Sequence, residues 1–423
     1  MSNMRREILA GLSTFFTVAY YFLLYPKILN EGGFDFGAAL TATILTLFLS
    51  TTFLALYTKT PFVIAPGISV AAYLIYSVVL KQHATWQAAL GVVFWAGLAM
   101  FLLSIFKVRQ KLIHNLPSSL VSAAIGGVGL FLICVGLKDL GILMPDPSTF
   151  YRIGTLFTPQ NGIALFGVIL FFVLNIFRIP VNFLITILTC WILSLLSGLS
   201  QWNGFLSSPP SLSPTFFQLD IIAPLQPRMW GFIFSALLIS LLDSTAAMTA
   251  LSKLSNNTDE RGRIKNLQRL VIPDGIGSMI ASFLGSANLT FFLESSSGIK
   301  AGGRTAITAL TVALCSLAVL FLYPLIASIP SFASVPALIA IGVFMTVVAK
   351  EIHWHSWTDA VPSLITLLII PLTFSIYRGF AIGFLSYILL KALTNRGKEI
   401  HPLCWGLGIV FALHLGWMTC TGS

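Results

Sequence analysis

The sequence predicts an all-α integral membrane protein with 14 transmembrane spans, arranged as two inverted repeats of seven. Three observations predict this fold: an apolar composition, a regular series of apolar segments, and the distribution of positive charge between them. Of the 423 residues, 57% are hydrophobic and only 9% are charged, and the mean hydropathy is +0.91. Soluble domains carry roughly 25% charged residues. The chain therefore has too few polar side chains to cover a water-exposed surface, and a lipid bilayer is the solvent that fits it.

The apolar segments have the length that a bilayer requires, which is about 20 residues for a helix. The first seven are predicted at Ile8–Leu29, Phe36–Tyr57, Phe62–Leu80, Trp86–Phe106, Ser118–Leu137, Gly162–Phe177 and Ile179–Leu199. The second seven are predicted at Trp230–Leu251, Leu267–Ser286, Leu289–Gly303, Thr305–Ile329, Val335–Ala349, Ala360–Ile376 and Gly379–Leu393. A trailing segment, Leu403–Trp417, is interrupted by Gly406, Gly408 and His414. We expect it to be interfacial or half-inserted, and the sequence leaves its topology open.

The positive charges test this number of spans. With the N-terminus in the cytoplasm, the cytoplasmic side receives 18 of the 24 Lys and Arg residues and the outer side receives six. This asymmetry follows the positive-inside rule, and a wrong span count would scramble it. We expect the protein in the plasma (inner) membrane. The net charge of +10 could also indicate a nucleic-acid partner, but the cations lie in short loops between apolar segments. We therefore interpret the run Arg261, Arg263, Lys265 and Arg269 as an orientation signal, and we expect no nucleic-acid partner.

Short sequence matches recur in the same order in the two halves. Ile176-Phe177-Arg178 matches Ile376-Tyr377-Arg378, and Ala124-Ile125-Gly126 matches Ala340-Ile341-Gly342. Because seven is odd, the second copy enters the membrane in the opposite orientation, which is typical of transporters. The predicted units are residues 1–200 for the first repeat, 229–396 for the second, and 397–423 for a C-terminal apolar segment.

Two segments in corresponding positions differ from ordinary membrane helices. The third contains Ala65-Pro66-Gly67 and the tenth contains Glu294-Ser295-Ser296-Ser297-Gly298. Each begins extended and β-prone, breaks at Pro or Gly, and then becomes helical. Unpaired backbone groups at mid-membrane are tolerated only where they line a cavity or are buried in protein, and paired breaks in opposed repeats indicate a substrate site. The alternative is two loosely packed helices with incidental glycines.

Ionisable residues within the predicted spans are few, as expected from an insertion cost of roughly 2.5–3.5 kcal/mol each. Glu294 can accept hydrogen bonds from a ring N–H or an exocyclic amino group and can exchange a proton during transport; the alternative is a structural cap of the following half-helix. Asp243 is interpreted either functionally, as a proton relay or a support of the site, or structurally, as a helix–helix hydrogen-bond partner of a neighbouring hydroxyl. For Asp274 we expect a structural role.

Aromatic side chains could sandwich a flat ring, although core packing is the alternative for each of them in a chain with 34 Phe residues. The candidates are Phe15, Phe16, Tyr20, Tyr73, Phe291 and Phe292. His353-Trp354-His355 has no obvious third ligand, so we interpret it as part of an interfacial belt, and no metal site is predicted. The absence of HExxH and GxSxG motifs argues against an enzyme.

Several motifs resemble those of the AzgA-like hypoxanthine/adenine/guanine permeases. These are Gly11–Tyr20, Ala65-Pro66-Gly67, Glu294–Thr305 and Pro371–Ile376. The wider superfamily of nucleobase:cation symporters includes xanthine and uracil permeases, such as UraA. The resemblance implies a core domain of spans 1–4 and 8–11, a gate domain of spans 5–7 and 12–14, and short strands in the broken spans 3 and 10. A base would bind between those two broken spans.

The resemblance also assigns roles to individual residues. Glu294 matches the substrate-binding glutamate, and Asp243 matches the second aspartate of the eighth-span motif. Ser240 stands where the family has the first aspartate of that motif, and Ala71 stands where it has a third-span asparagine. Both departures remove hydrogen-bonding groups from the expected pocket, which affects the choice of base. The predicted substrate-binding residues are Glu294, Ser240, Gly67, Ala71, Ser295 and Phe292, with Asp243 and Glu294 in proton coupling.

The predicted function is import of purine nucleobases by proton symport with alternating access, driven by the proton gradient and without a cofactor. The alternative is a transporter of the same fold that carries another small solute, such as an inorganic anion. The negative charge of Glu294 argues against an anion, because the two would repel each other. The sequence leaves open the preferred base, the ion stoichiometry and whether the protein forms a homodimer.

Overall fold

The computed structural model of the chain describes residues 2–109, 115–146, 150–258 and 264–421. Arg261 and Arg263 of the basic run lie outside the described residues. The α-helices, numbered in chain order, are α1 (Ser2–Val18), α2 (Tyr21–Glu31), α3 (Phe36–Thr58), α4 (Ile68–Ala72), α5 (Trp86–Ile105), α6 (Ser118–Asp139), α7 (Pro159–Ile176), α8 (Asn182–Leu196), α9 (Trp230–Leu254), α10 (Leu267–Leu284), α11 (Ser295–Lys300), α12 (Ala306–Ala318), α13 (Tyr323–Ala327), α14 (Val335–Thr346), α15 (Trp357–Thr373), α16 (Ile376–Leu393) and α17 (Pro402–Thr421).

Shorter elements connect or extend these helices. Helix α4 continues directly into a π-helical stretch, Tyr73–Lys81. The 3₁₀ turns are Ala223–Leu225, Pro227–Met229, Val319–Leu322, Ser331–Ala333, Val347–Glu351 and Gly397–Glu399. The strands are β1 (Ile64–Pro66), β2 (Leu143–Asp146), β3 (Phe150–Ile153) and β4 (Leu289–Phe291). Strands β2 and β3 form a hairpin between α6 and α7 that the sequence analysis did not predict.

The long helices are apolar enough to cross a membrane. Within the described residues, nine helical segments of at least 18 residues meet that criterion: Met4–Glu31, Phe36–Thr58, Trp86–Ile105, Ser118–Asp139, Pro159–Ile176, Pro227–Leu254, Ala306–Ala327, Ser331–Glu351 and Ile376–Leu393. Four shorter apolar helices accompany them: Ile68–Lys81, Asn182–Leu196, Trp357–Thr373 and Pro402–Trp417. Each predicted span coincides with a helix, with consecutive short helices or with a strand followed by a helix. The membrane crossing of all 14 stays a prediction.

Several helices begin where the sequence supplies a side-chain cap. Asp35 accepts a hydrogen bond from the backbone N–H of Ala38 at the start of α3, at 2.8 Å. Thr85 and Thr158 cap α5 and α7 in the same way, and Ser375 caps α16. A cap satisfies one of the backbone N–H groups that lack a partner in the first turn, so these residues fix where each helix begins.

The helices pack in two groups. In one group, α10 packs against α3 and α5, α12 packs against α1 and α3, and α9 packs against α5. In the other, α6 packs against α14 and α15, α7 packs against α8 and α14, and α15 packs against α16. The largest buried cluster surrounds α2 and the segment from β1 to the π-helix, including the fully buried rings of Tyr21, Tyr25 and Tyr73. The core of the molecule therefore lies beside the first broken segment.

The trailing segment differs from the prediction in one respect. It forms a continuous helix, α17, and neither Gly406 nor Gly408 interrupts it. Helix α17 packs along α16, and the ring of Phe411 is buried against Phe234 and Phe384, with ring centroids 5.0 and 5.4 Å away. The glycines are tolerated because packing against a neighbouring helix stabilises this one. The position of α17 relative to the bilayer stays a prediction.

The interrupted third and tenth segments contact each other in the protein interior, as predicted from the sequence. Strands β1 and β4 pair antiparallel, with Ala65 opposite Thr290. Two further hydrogen bonds extend the pairing: Gly67 N donates to Asn288 O at 2.9 Å, and Phe292 N donates to Val63 O at 3.0 Å. The short strands in the third and tenth segments are therefore confirmed.

Candidate functional site

Side chains from neighbouring helices satisfy the backbone groups that the two breaks leave unpaired. Thr51 Oγ1 of α3 donates to Ile64 O at 2.7 Å and accepts from Ile64 N at 3.2 Å. Ser278 Oγ of α10 accepts from Leu289 N at 2.8 Å. Ser295 Oγ accepts from Val63 N at 3.1 Å, which links the start of α11 to the first segment. Since buried polar backbone without partners is destabilising, these hydroxyls hold both strands in place.

Gly67 allows the two segments to approach closely. It lies between β1 and α4, and a Cβ atom at this position would be 2.8 Å from Thr290 Cγ2 of β4. That distance is well inside van der Waals contact, so a larger residue would push the two strands apart. The predicted site residue Gly67 thus sits at the crossing of the segments, where it positions the backbone.

Glu294 directly precedes α11 and is separated from β4 by two residues. Its carboxylate Oε1 accepts a hydrogen bond from the phenol of Tyr20, with 2.6 Å between the two oxygens. Tyr20 lies in a short interruption between α1 and α2, within what the sequence analysis predicted as one continuous span. The ring of Tyr20 is buried and stacks on Phe183 of α8, with centroids 4.3 Å apart and planes 18° apart. The carboxylate is therefore held by an aromatic pair that joins α1–α2 to α8.

Asp243 lies on α9 and faces the other group of helices. Its carboxylate accepts a hydrogen bond from the hydroxyl of Ser69, the second residue of α4. It also lines a cavity of about 10 Å³ with residues of α6, α9 and α16, including Ala124, Ile125 and Ile376. A cavity needs a volume of about 10–15 Å³ to hold one water molecule. The cavity beside Asp243 is therefore no larger than one water molecule.

The remaining predicted site residues are buried in the packing around the crossing. Ser240 is 1% exposed, and its hydroxyl donates to Ala236 O of its own helix at 2.8 Å. Ala71 is fully buried in α4. The ring of Phe292 packs edge-on against Tyr21, with centroids 4.9 Å apart. Ser240 and Phe292 thus have structural contacts in this arrangement, and their predicted contact with a substrate stays a prediction.

The aromatic candidates differ in their surroundings. Phe16 of α1 is 52% exposed. Phe291 of β4 packs against Phe62, with ring centroids 6.3 Å apart. Tyr73 is fully buried in the π-helical stretch. Tyr20 is the candidate whose polar atom contacts Glu294. Within the described part of the chain, no three His, Cys, Asp or Glu side chains converge as metal ligands, and His353 Nδ1 lies 3.2 Å from Ser119 Oγ.

Asp274 forms an ion pair inside the protein. Its Oδ2 accepts from Arg109 Nη1 at 2.9 Å and from Ser244 Oγ at 2.5 Å. The side chains of Arg109 and Asp274 are 1% and 0% exposed. The second nitrogen of the guanidinium, Nη2, reaches Thr245 Oγ1 at 3.3 Å. This pair joins the segment after α5 to α9 and α10, which agrees with the structural role expected for Asp274.

Several residues around the site were not predicted from the sequence. Phe183 was not a candidate, because nothing in the sequence separates it from the other phenylalanines. Ser69 could have been found, since it is the first hydroxyl after the break at Ala65-Pro66-Gly67. Two contacts between α1 and α11 were also missed: Ser13 Oγ lies 2.7 Å from Ser297 Oγ, and Gly298 N donates to the Thr14 hydroxyl at 3.1 Å.

The arrangement around Glu294 suits a flat polar molecule with N–H donors. A carboxylate offers about four lone-pair positions, and the phenol of Tyr20 occupies one of them. The others can accept a ring N–H or an amino group, and the rings of Tyr20 and Phe183 stack beside the carboxylate. Offset stacking between aromatic rings contributes about 0.5–1.5 kcal/mol beyond burial.

Long apolar helices and two interrupted segments that cross in the protein interior define a multi-pass membrane protein of the transporter class. The chain belongs to the Permease family, whose model matches residues 5–382. It is 33% identical to the adenine permease AdeP of Escherichia coli K12 over 414 residues, which cover 97% of this chain and 92% of AdeP. It is 32% identical to the guanine/hypoxanthine permease PbuO of Bacillus subtilis over 425 residues, which cover 98% of each.

The fold is similar to that of a solved transporter domain. The transmembrane domain of the cyanobacterial bicarbonate transporter BicA superposes with a TM-score of 0.67 at 16% identity, covering 90% of this chain and 97% of that domain. This likeness concerns the fold alone. The relatives AdeP and PbuO confirm the resemblance to purine permeases drawn from the motifs, and they fit the prediction that the chain is a transporter and not an enzyme.

Proposed function

We propose that the protein imports purine nucleobases by proton symport with alternating access. The observation that carries the proposal is the Glu294 carboxylate at the crossing of the broken segments, held by the phenol of Tyr20 at 2.6 Å. A purine presents ring N–H and amino donors in one plane, which match a carboxylate acceptor beside an aromatic face. AdeP and PbuO are named for adenine and for guanine and hypoxanthine, which supports a purine as the cargo.

The packing of the helices supports two inverted repeats, because contacts recur between equivalent elements. Helix α1 packs against α12, and their equivalents α9 and α5 also pack together. Three further packed pairs have an equivalent packed pair in the other repeat. The pair α5–α10 is equivalent to α12–α3, and the pair α6–α15 is equivalent to α14–α7. The pair α7–α8 is equivalent to α15–α16. Each of these pairs joins two helices of the proposed core domain or two helices of the proposed gate domain.

Alternating access requires the core and the gate to move against each other. The contacts between them in this region are Tyr20 with Phe183, and Asp243 with the residues of α6 and α16 that line the small cavity. A cavity of about 10 Å³ is far too small for a purine. We propose that these contacts open to admit the base and close again around it.

Proton coupling is assigned to Glu294 and Asp243. Each is an acidic side chain in an apolar region, and each contacts a hydroxyl of the proposed core: Tyr20 for Glu294 and Ser69 for Asp243. A proton on Glu294 would make one of its oxygens a donor and leave the other as an acceptor. A base edge that presents an acceptor beside an N–H donor matches this form, so binding of the base and binding of the proton would be linked. The proposed location is the plasma membrane, with the N-terminus in the cytoplasm.

The test is uptake of labelled adenine, guanine, hypoxanthine and uracil by cells that lack purine transporters, with and without a protonophore. We expect uptake of at least one purine, loss of that uptake with the protonophore, and loss in a Glu294→Gln variant that still reaches the membrane. Glu351→Gln, which changes an exposed carboxylate outside the site, is the matched control and should transport normally.

Two outcomes would contradict the proposal. Normal purine uptake by the Glu294→Gln variant would remove the assigned role of this carboxylate. Uptake that is inhibited by bicarbonate or sulfate, and by no base, would favour the anion transporter.

A further inference from the structure

A second cavity, separate from the crossing of the broken segments, has a strongly basic lining. It has a volume of about 50 Å³ and lies between the π-helical end of the third segment, the start of α9 and the start of α16. Three of its lining residues are cations, Lys81, Arg228 and Arg378, and among the described residues no Asp or Glu lines it. Three positive charges around one small space favour an anion.

The cavity also has a hydroxyl that lacks a partner. Ser77 lines it and is 2% exposed, and its Oγ makes no hydrogen bond within the part of the chain that the structure describes. Buried polar side chains normally have a hydrogen-bond partner. Tyr73, which is fully buried one turn away, lines the same space. The basic cavity thus contains a buried donor with its hydrogen-bonding capacity unused.

The three cations line the same cavity. Lys81 and Arg378 interact electrostatically with each other, so an anion between them would replace repulsion by attraction. Lys81 Nζ donates to the backbone carbonyl of Thr373, and an ammonium group has three donors, which leaves two for a ligand. Arg228 adds a third cation from the start of α9.

The size of the cavity limits the ligand. A cavity of about 150 Å³ holds benzene, and a water molecule needs about 10–15 Å³. A space of about 50 Å³ therefore fits a chloride ion or a small oxyanion and is too small for a purine ring. We propose that Lys81, Arg228, Arg378 and Ser77 form a binding site for a small inorganic monoanion, of which chloride is the simplest example.

The site would also affect transport, a consequence that rests on the proposed function. Lys81 belongs to the proposed core, whereas Arg378 belongs to the proposed gate. An anion held by both joins the two domains at this end of the molecule, so its binding would favour the arrangement in which they are close together.

The test measures anion binding directly, without any purine. The protein is purified in lipid nanodiscs, and its unfolding temperature is followed as chloride replaces gluconate at constant ionic strength. Gluconate is too large for the cavity. We expect the unfolding temperature to rise with chloride and to saturate, because a ligand that binds only the folded state stabilises it. Arg378→Gln and Lys81→Gln should each weaken the apparent affinity by about tenfold, the value of one charge-assisted hydrogen bond.

Matched variants separate this site from general salt effects. Ser77→Ala, which removes only the buried hydroxyl, should weaken binding, while Lys350→Gln, at an exposed lysine outside the cavity lining, should leave it unchanged. If the charge variants fail to fold, anomalous scattering from bromide in crystals of the unmodified protein gives the answer, with a peak expected in this cavity. Equal unfolding temperatures in chloride and gluconate, undiminished affinity in Arg378→Gln and Lys81→Gln, or a cavity without bromide would overturn the proposal. Purine uptake plays no part in these measurements, so the two proposals fail separately.

Discussion

Replacing Tyr20 by Phe removes one hydroxyl and keeps the aromatic ring. The ring can still stack on Phe183 at its present centroid distance of 4.3 Å, so the change isolates the 2.6 Å hydrogen bond to Glu294 Oε1. A hydrogen bond to a charged group contributes about 1.5–3 kcal/mol. The bond is present with and without the base, so only the part of this energy that orients the carboxylate for the base appears in the affinity. The lower end of the range, about tenfold, is therefore the upper limit, and Tyr20→Phe should bind purine more weakly than the unmodified protein by up to about tenfold.

The assay is equilibrium binding of radiolabelled adenine, or of whichever purine is transported, to purified protein in nanodiscs. Phe183→Leu is the complementary variant, because it keeps the hydroxyl and removes the stacking partner. Because the rings of Tyr20 and Phe183 are in contact, the two effects should couple, and the double variant should depart from additivity by about 0.5 kcal/mol or more. Unchanged affinity in Tyr20→Phe would refute the idea that this phenol positions Glu294.

Three further predictions concern the scaffold. Asp274→Ala leaves the buried charge of Arg109 without its partner, so we expect the free energy of unfolding to fall by about 3–5 kcal/mol; a loss below 1 kcal/mol in denaturant titrations would contradict this. Gly67→Val should abolish purine binding while the protein still inserts, because the new side chain separates the paired strands; retained binding would show that their close approach is unnecessary. The hydrogen bond from Lys391 and the positive charge of Lys391 lower the pKa of the Glu399 carboxyl. The pair therefore stabilises the turn before α17 fully at pH values above the ordinary pKa of a carboxyl. This stabilisation is lost as the pH falls through the lowered pKa of Glu399. Proteolysis at this turn should increase on acidification, and Glu399→Gln should remove the pH dependence.

The sequence was sufficient to predict the features that depend on local composition. The apolar segments have the length of membrane helices, and the break at Ala65-Pro66-Gly67 follows from residues that disfavour a continuous helix. In the tenth segment the break lies before Ser295, and Gly298, where a break was expected, is inside α11. That the two broken segments face each other followed from the opposed repeats, whereas the short strands were implied by the resemblance and their pairing was not predicted. Asp243 and Glu294 were found because ionisable residues within such segments are rare.

What the sequence could not predict depends on tertiary contacts. Phe183 lies far along the chain from Tyr20, and one phenylalanine among 34 carries no sign that it stacks there. The glycines of α17 indicated an interruption, yet packing of Phe411 against α16 keeps the helix continuous. The basic cavity gathers Lys81, Arg228 and Arg378 from three distant segments, each of which alone was interpreted as a loop charge.

The central claim is that the carboxylate of Glu294 binds the base at the crossing of the two interrupted segments. Its most direct test is the affinity of purified Glu294→Gln for the transported purine, measured beside the unmodified protein under conditions in which both are folded. An amide keeps the shape of the side chain and replaces one acceptor oxygen by a donor. We predict a loss of affinity of at least about tenfold, the value of one hydrogen bond to a charged acceptor. Equal affinities in the two proteins would contradict the claim.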